Sequence, residues 1–277
     1  MPFRYGIATM VEPPHVFLIL EADINGKASR GIAADHLPPK WFTKNPEMAI
    51  PDEIAEMVAV IQNAAALACG IEAETPFAFW EKLYSAQSAW ALSHRLPPLL
   101  AHFGTSLVER ALLDAIARVE ETPFHVLLRE DRLGLDLGRV HSGLAGTSAR
   151  DWLPALPLAE VTCRHTIGMS DPLEDAEISA GEVLDDGLPQ SLTACISRYG
   201  LTQFKIKLTA DRETSFPRLQ RISDVLMRET GGNFSASLDG NESFYDVDDF
   251  RAYVEAVRPV MEQPCHDSGS YISTLLC

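Results

Sequence analysis

The region after residue 160 alternates between short β-rich segments and longer helical segments, and this alternation is the strongest constraint on the fold. The strands are predicted at Val161–Gly168, Phe204–Leu208, Phe234–Leu238 and Pro259–Glu262. Helices are predicted between them at Pro189–Tyr199, Asp211–Glu229 and Asp246–Val257. Strands that are joined through helices run parallel within one sheet. The pattern therefore predicts an α/β fold, whose parallel sheet is either doubly wound or rolled into a barrel.

The first 150 residues have a different pattern, that of a small sheet followed by helices. The β-rich run His15–Ile24 is followed by Asn25-Gly26 and a second run, Lys27–Ala34, which together are a strong hairpin signal. Helices are predicted after the hairpin at Asp52–Cys69, Pro76–Leu92 and Thr105–Glu121. We therefore predict an α+β domain over residues 1–150 and a β/α domain over residues 151–277.

The charge balance excludes two classes of partner. The formal net charge is −16 at pH 7, whereas nucleic acids and anionic membranes both require a basic protein surface. The amino-terminal segment does not have the charged start and apolar core of a signal peptide, and no segment has the roughly 20 apolar residues of a membrane span. The 5 cysteines are scattered without a CxxC pair, which indicates reduced thiols. We therefore predict a cytoplasmic protein with no nucleic-acid or membrane partner.

Lys205 and Lys207 lie two positions apart in the predicted strand Phe204–Leu208, so their side chains point to the same face. Inside a barrel, burial and mutual repulsion favour the neutral amine, which can accept a proton near neutral pH. The alternative is a solvated edge strand, where lysines are common because they prevent aggregation. The pair by itself leaves both interpretations open.

Acidic residues follow the next two predicted strands. Asp239 and Asn241 come directly after Phe234–Leu238, and Glu262 ends the strand after that. Barrel active sites lie at the carboxyl ends of strands, and carboxylate oxygens are suitable ligands for Mg²⁺. The alternatives are an ordinary turn at Asp239 and a surface position for Glu262. The order of lysine pair, acid and acid, about one βα unit apart, favours a shared site where a metal would hold the charge of an enolate.

This order of motifs resembles the mandelate racemase/muconate lactonizing enzymes of the enolase superfamily. FKIKL matches the Lys-x-Lys of their second barrel strand, SLDGNES is similar to the Asp-x-Asn of the third, and VMEQP is similar to the Glu-Gln-Pro or Glu-Glu-Pro of the fourth. CRHTIGMSDPLEDAE resembles the first strand and its loop, and SLVERALLDAIARVEETPFHVLL resembles the helix before the barrel. The resemblance implies an enolase-like capping domain over residues 1–150 and part of a TIM-type barrel over residues 151–277.

The resemblance also implies a reaction, the Mg²⁺-dependent removal of a proton next to a carboxylate, as in racemases, epimerases and cycloisomerases. Lys207 would be the general base, and Lys205 would steady the substrate carboxylate or the enolate oxygen. Asp239 and Glu262 would bind Mg²⁺, and Asn241 would form a hydrogen bond near the substrate. The implied partner is a small-molecule carboxylate. Symmetric assemblies are common in this family, which implies a homo-oligomer.

The length of the chain limits this expectation. A whole (β/α)₈ barrel takes about 250 residues, and the four strands predicted here make about half of one, without the family's third metal ligand or second acid/base group. The chain is then a fragment of an active enzyme, a shortened product without activity, or a protein that completes its fold by association. Because two carboxylates seldom bind Mg²⁺ tightly, we expect weak metal binding and little turnover. An acid-sugar dehydratase of the same superfamily and a non-catalytic α/β binding protein, in which Lys205, Lys207 and Asp239 form a structural ion-pair cluster, are the alternatives.

Overall fold

A computed structural model describes residues 3–5, 8–10, 12–43, 45–240, 243–261 and 275–276. The chain divides into two compact units, one formed by Glu12–Ala159 and the other by Met1–Val11 together with Glu160–Cys277. The domain boundary between residues 150 and 151 stays a prediction. In the second of these units, the short strands β1 (Phe3–Tyr5) and β2 (Ala8–Met10) pair in antiparallel fashion.

The unit Glu12–Ala159 begins with the predicted hairpin. Strands β3 (His15–Ile24) and β4 (Lys27–His36) pair antiparallel along their whole length. Asn25 and Gly26 form the turn with φ values of 55° and 80°, because a two-residue turn that matches the twist of the strands needs positive φ at both positions. The hairpin is confirmed, and its second strand continues to His36.

Four helices follow the hairpin: α1 (Ile50–Ala68), α2 (Pro76–Ser93), α3 (Pro98–Val119) and α4 (Phe124–Arg129). The predicted cap of α2 is present, since the Thr75 hydroxyl accepts a hydrogen bond from the Ala78 amide at 3.1 Å. The predicted start of α3 at Thr105 is wrong, because the helix begins at Pro98, where a proline is tolerated in the first turn. Gly104, which weakens a helix in isolation, lies inside α3 because the helix approaches α1 closely there.

The other unit contains the predicted parallel sheet. Its strands are β5 (Arg164–Ile167), β6 (Gln203–Lys207), β7 (Ser235–Asp239) and β8 (Leu275–Leu276), and each pairs with the next in parallel. Helices α5 (Leu192–Tyr199), α6 (Arg212–Thr230) and α7 (Val247–Met261) alternate with them. The α/β class is therefore confirmed.

The core of this unit lies on one side of the sheet. Phe204 and Ile206 of β6 are buried there with Ala236 and Leu238 of β7. All three helices cover the same side, through residues that include Ile196 of α5, Leu226 of α6 and Tyr253 of α7. The opposite side of the sheet carries the polar residues described below.

The predicted strand Pro259–Glu262 is wrong. Helix α7 continues through Pro259 to Met261, and Leu275–Leu276 supplies the fourth strand of the sheet. A short apolar run does not distinguish a strand from a buried helical turn, and the buried residues Tyr253 and Val257 set a helical period that the run continues. No helix in the described part of the chain is long and apolar enough to cross a membrane.

Candidate functional site

Lys205 and Lys207 lie on the side of the sheet that faces away from the apolar core. Their neighbours in β6, Phe204 and Ile206, are 1% and 0% exposed and pack under the helices, whereas the two lysines are half-buried. Because side chains alternate along a strand, both ammonium groups belong to the opposite, polar face. The two lysines do not lie in an edge strand, because β6 pairs with β5 on one side and with β7 on the other. The alternative interpretation as solvated edge-strand lysines therefore does not apply.

The strand register brings Asp239 to the same face. Lys207 is in register with Asp239, and Lys205 with Ser237 of β7 and Thr166 of β5. The Asp239 carbonyl accepts a hydrogen bond from the Leu208 amide at 2.8 Å, which continues the ladder past the end of the strands. The predicted convergence of these polar residues at the carboxyl ends of neighbouring strands is therefore present for Lys205, Lys207 and Asp239.

Lys205 and Asp239 form an ion pair, with 2.7 Å between Nζ and Oδ2. Their side chains are 27% and 24% exposed, so the pair is shielded but still reached by solvent. No such ion pair is present for Lys207 among the described residues. The face therefore carries the Lys205 ammonium group paired with Asp239 and, on the same strand, the half-buried side chain of Lys207.

Arg164 of β5 adds a third positive charge to this face, and sequence reasoning missed it. Its Nη1 lies 3.5 Å from the Ser237 hydroxyl, across the intervening strand. The signal was available, because Arg164 and Thr166 alternate with the buried Ile167 in the same way that the two lysines alternate in β6. Among the described residues, Arg164, Lys205 and Lys207 bring three positive charges to this face and Asp239 brings one negative charge, on a chain whose net charge is −16.

His165 does not belong to this face. It is in register with Phe204 and therefore lies on the side that the helices cover. Burial lowers the pKa of His165, while the nearby Asp171 carboxylate acts in the opposite direction. His165 is therefore a half-buried histidine at the edge of the core.

The loop after β5 is held in place by Arg218 of α6. The Arg218 Nη2 donates to the carbonyl oxygens of Gly168 and Asp171, at 3.0 and 2.5 Å. The Asp171 carboxylate in turn accepts a hydrogen bond from the Gly168 amide at 2.7 Å. This loop leaves the carboxyl end of β5, so Arg218 fixes the backbone directly after that strand.

The predicted Mg²⁺ site is only partly within the described residues. Asn241 and Glu262 lie outside them, and in the described part of the chain there is no group of three or more His, Cys, Asp or Glu side chains that could hold a metal. The carboxylate oxygens of Asp239 are suitable Mg²⁺ ligands, but the carboxylate forms an ion pair with Lys205. The described residues therefore supply one carboxylate, which is not a complete donor set for Mg²⁺.

Comparison with known proteins does not assign the chain to a family. A scan of protein-family models finds no match, and searches of curated proteins and of solved structures find no significant match. The resemblance to mandelate racemase/muconate lactonizing enzymes therefore stays a prediction that rests on the quoted motifs.

Proposed function

We propose that the polar face of the sheet binds a small carboxylate and removes the proton from the carbon next to it, as the resemblance to the enolase superfamily implies. The observation that carries the proposal is the arrangement of Lys205, Lys207 and Asp239 on one face, at the carboxyl ends of adjacent parallel strands. Active sites of parallel α/β folds are built at this end of the strands.

The roles proposed for Lys207, Lys205, Asp239 and Glu262 are those that the resemblance implies, and Arg164 is added because it lies on the same face. In its neutral form, Lys207 would take the proton at Nζ as the carbon–hydrogen bond breaks, and the electron pair would move onto the carboxylate oxygens. Lys205 and Arg164 would hold the resulting negative charge, since ammonium and guanidinium groups stabilise a developing oxyanion. Asp239 and Glu262 would hold Mg²⁺, which would supply further positive charge for the enolate.

The arrangement of the helices supports a barrel-type architecture rather than a doubly wound one. A doubly wound sheet has helices on both faces, whereas α5, α6 and α7 all pack on one face of the sheet β5–β8. Sequential strand order with one covered face is the arrangement of a barrel wall, whose inner face carries the site. On this basis we propose an enolase-like, barrel-type architecture for the sheet β5–β8.

The alternative of a non-catalytic ion-pair cluster draws support from one observation. Lys205 and Asp239 are already paired, as that alternative expects, and structural ion pairs are common in proteins without activity. An acid-sugar dehydratase would use the same face, and the described residues favour neither reaction over the other.

Calorimetry with a carboxylate distinguishes a binding site from a structural cluster. The probe is an N-acylamino acid, titrated with and without Mg²⁺ into the purified chain and into Lys207→Met and Asp239→Asn. We expect the chain to bind the N-acylamino acid and Lys207→Met to weaken this binding. We also expect a heat of Mg²⁺ binding that is absent in Asp239→Asn. A folded protein with no carboxylate or Mg²⁺ heat would support the structural cluster instead.

A further inference from the structure

The two edges of the hairpin β3–β4 have different surroundings. On the β4 edge, the Ile32 amide donates to the Asp114 carboxylate of α3 at 2.9 Å, and the Ala34 carbonyl accepts from Arg110 Nη1 at 3.4 Å. Helix α3 therefore satisfies the outward backbone groups of β4. No strand pairs with the other edge, that of β3, within the residues the structure describes.

The geometry of the turn identifies which backbone groups of β3 point away from β4. In a hairpin with a two-residue turn, the pair flanking the turn is hydrogen-bonded and the pairs then alternate. Phe17, Ile19, Glu21 and Asp23 fall in the non-hydrogen-bonded pairs, so their amides and carbonyls point outward. The outward direction of the Ile32 amide, opposite Ile19, agrees with this assignment.

A cavity of about 670 Å³ lies along this open edge. Strand β3 lines one wall over residues 18–25, and the opposite wall is formed by the end of α1, the segment from Ile71 to Pro76 and Phe79 of α2. Leu20 and Ile24 of β3 contribute partly buried apolar surface to its floor. All of these residues belong to the unit Glu12–Ala159.

The rim of this groove is acidic. Five carboxylates line it, together with the guanidinium group of Arg132. Glu21 is paired with Arg30 and Glu120 with Arg132, so the balance at the rim remains negative. The acidic residues are Glu21, Asp23, Glu72, Glu74 and Glu120. A second copy of the chain would bring the same acidic β3 edge and a net charge of −16 to the groove, so charge disfavours self-association there.

We propose that the open edge of β3 and its groove bind an extended segment of a partner protein, in which apolar residues alternate with basic ones. The segment adds a third strand to the hairpin. Its backbone pairs with the outward groups of Ile19 and Glu21, its apolar side chains cover the floor, and its basic side chains meet the acidic rim. This inference is independent of the function proposed for the parallel sheet.

Cys69 provides a direct readout, because its exposed thiol lines the groove while the exposed thiol of Cys163 lies in the other unit. The probe is a heptapeptide of alternating lysine and valine, added to the whole chain during labelling with a thiol reagent. Mass spectrometry follows each cysteine separately. We expect a several-fold slower reaction at Cys69 and an unchanged rate at Cys163.

Two controls separate strand addition from non-specific attraction. A heptapeptide of glutamate and valine should not protect Cys69, and neither should the lysine peptide when alternate amides are N-methylated. Glu21→Pro removes an outward amide without breaking the ladder to β4 and should abolish protection, whereas Glu21→Ala keeps that amide and should retain most of it. Circular dichroism checks that both variants fold.

Three results would overturn the proposal. One is an unchanged Cys69 rate at a saturating concentration of the lysine peptide. Another is equal protection by the glutamate peptide, which would indicate a merely apolar groove. The third is a dimer in light scattering that Glu21→Pro dissociates, which would assign the edge to a second copy of the chain.

Discussion

Lys205 and Asp239 form an ion pair between adjacent parallel strands, on the face that points away from the apolar core. The two residues are far apart in sequence. Lys207 is in register with Asp239 and therefore lies beside the pair. The ion pair holds the Asp239 carboxylate at the end of β7. The properties of this pair therefore bear on both stability and function.

Because each of the two side chains is about a quarter exposed, the ion pair should contribute only modestly to the free energy of unfolding. In a double-mutant cycle with Lys205→Met and Asp239→Asn, we expect a coupling free energy of about 1 kcal/mol. Urea unfolding of the four proteins measures it. A coupling above about 3 kcal/mol would contradict a solvent-reached pair and indicate a dry, structural one.

The Lys40–Glu53 pair in the other unit should behave differently. Lys40 and Glu53 are 10% and 4% exposed, and Lys40 Nζ also donates to the carbonyls of Asn45 and Met48 at 2.8 and 2.5 Å. Glu53→Ala leaves this buried ammonium without its carboxylate, so we expect a loss of about 3–5 kcal/mol in the free energy of unfolding. The matched control is Asp248→Ala, which breaks the exposed pair with Arg251 and should change stability by less than about 1 kcal/mol.

Gly104 should be intolerant of alanine although it lies in a helix. A Cβ at this position would lie 2.2 Å from the Val60 carbonyl oxygen of α1, so α1 and α3 would have to separate. We expect Gly104→Ala to destabilise the protein by about 1–3 kcal/mol or more, against the usual gain of an alanine in a helix. Gly143→Ala is the control, because a Cβ at that position would have no heavy atom within 4 Å, and thermal unfolding compares the two.

His102 should make the stability of the first unit depend on pH. Its ring stacks on Tyr84 with 3.7 Å between centroids, and burial lowers its pKa below the usual 6.5. The fold therefore favours the neutral ring, so its contribution is complete above pH 6.5 and is lost as the pH falls toward the lower folded pKa. The free energy of unfolding, measured for wild type and His102→Gln between about pH 7.5 and 5.5, should depend less on pH in the variant. The same pH dependence in both proteins would exclude this role of His102.

Local chemistry in the sequence predicts much of this fold. The Asn25-Gly26 turn and the Thr75 cap are formed by residues within a few positions of each other, and both are present. The start of α3 is not predicted correctly because the place of Gly104 in a helix depends on Val60, a contact with another helix. Such close contacts between helices cannot be predicted from sequence patterns within one helix.

The candidate site is predicted only in part for the same reason. Alternation within one strand is enough to put Lys205 and Lys207 on one face. Alternation also separates Arg164 and Thr166 from Ile167 within β5, but the distance of Arg164 from the lysines depends on the register between β5, β6 and β7, which a single strand does not encode. The strand predicted at Pro259–Glu262 is wrong because its apolar run continues α7 to Met261, so Glu262 as the second metal ligand remains a prediction from resemblance.

Proton removal by Lys207 can be measured as exchange of the α-proton of a carboxylate in D₂O. The purified chain is incubated for hours with Mg²⁺ and, separately, an N-acylamino acid, a dipeptide and a sugar acid, and NMR follows the loss of the α-proton signal. We predict slow exchange with at least one compound, abolished in Lys207→Gln and retained in Lys82→Gln, a control on the surface of α2. Exchange that is absent with all three compounds, or that persists unchanged in folded Lys207→Gln, would contradict the claim that Lys207 is the base.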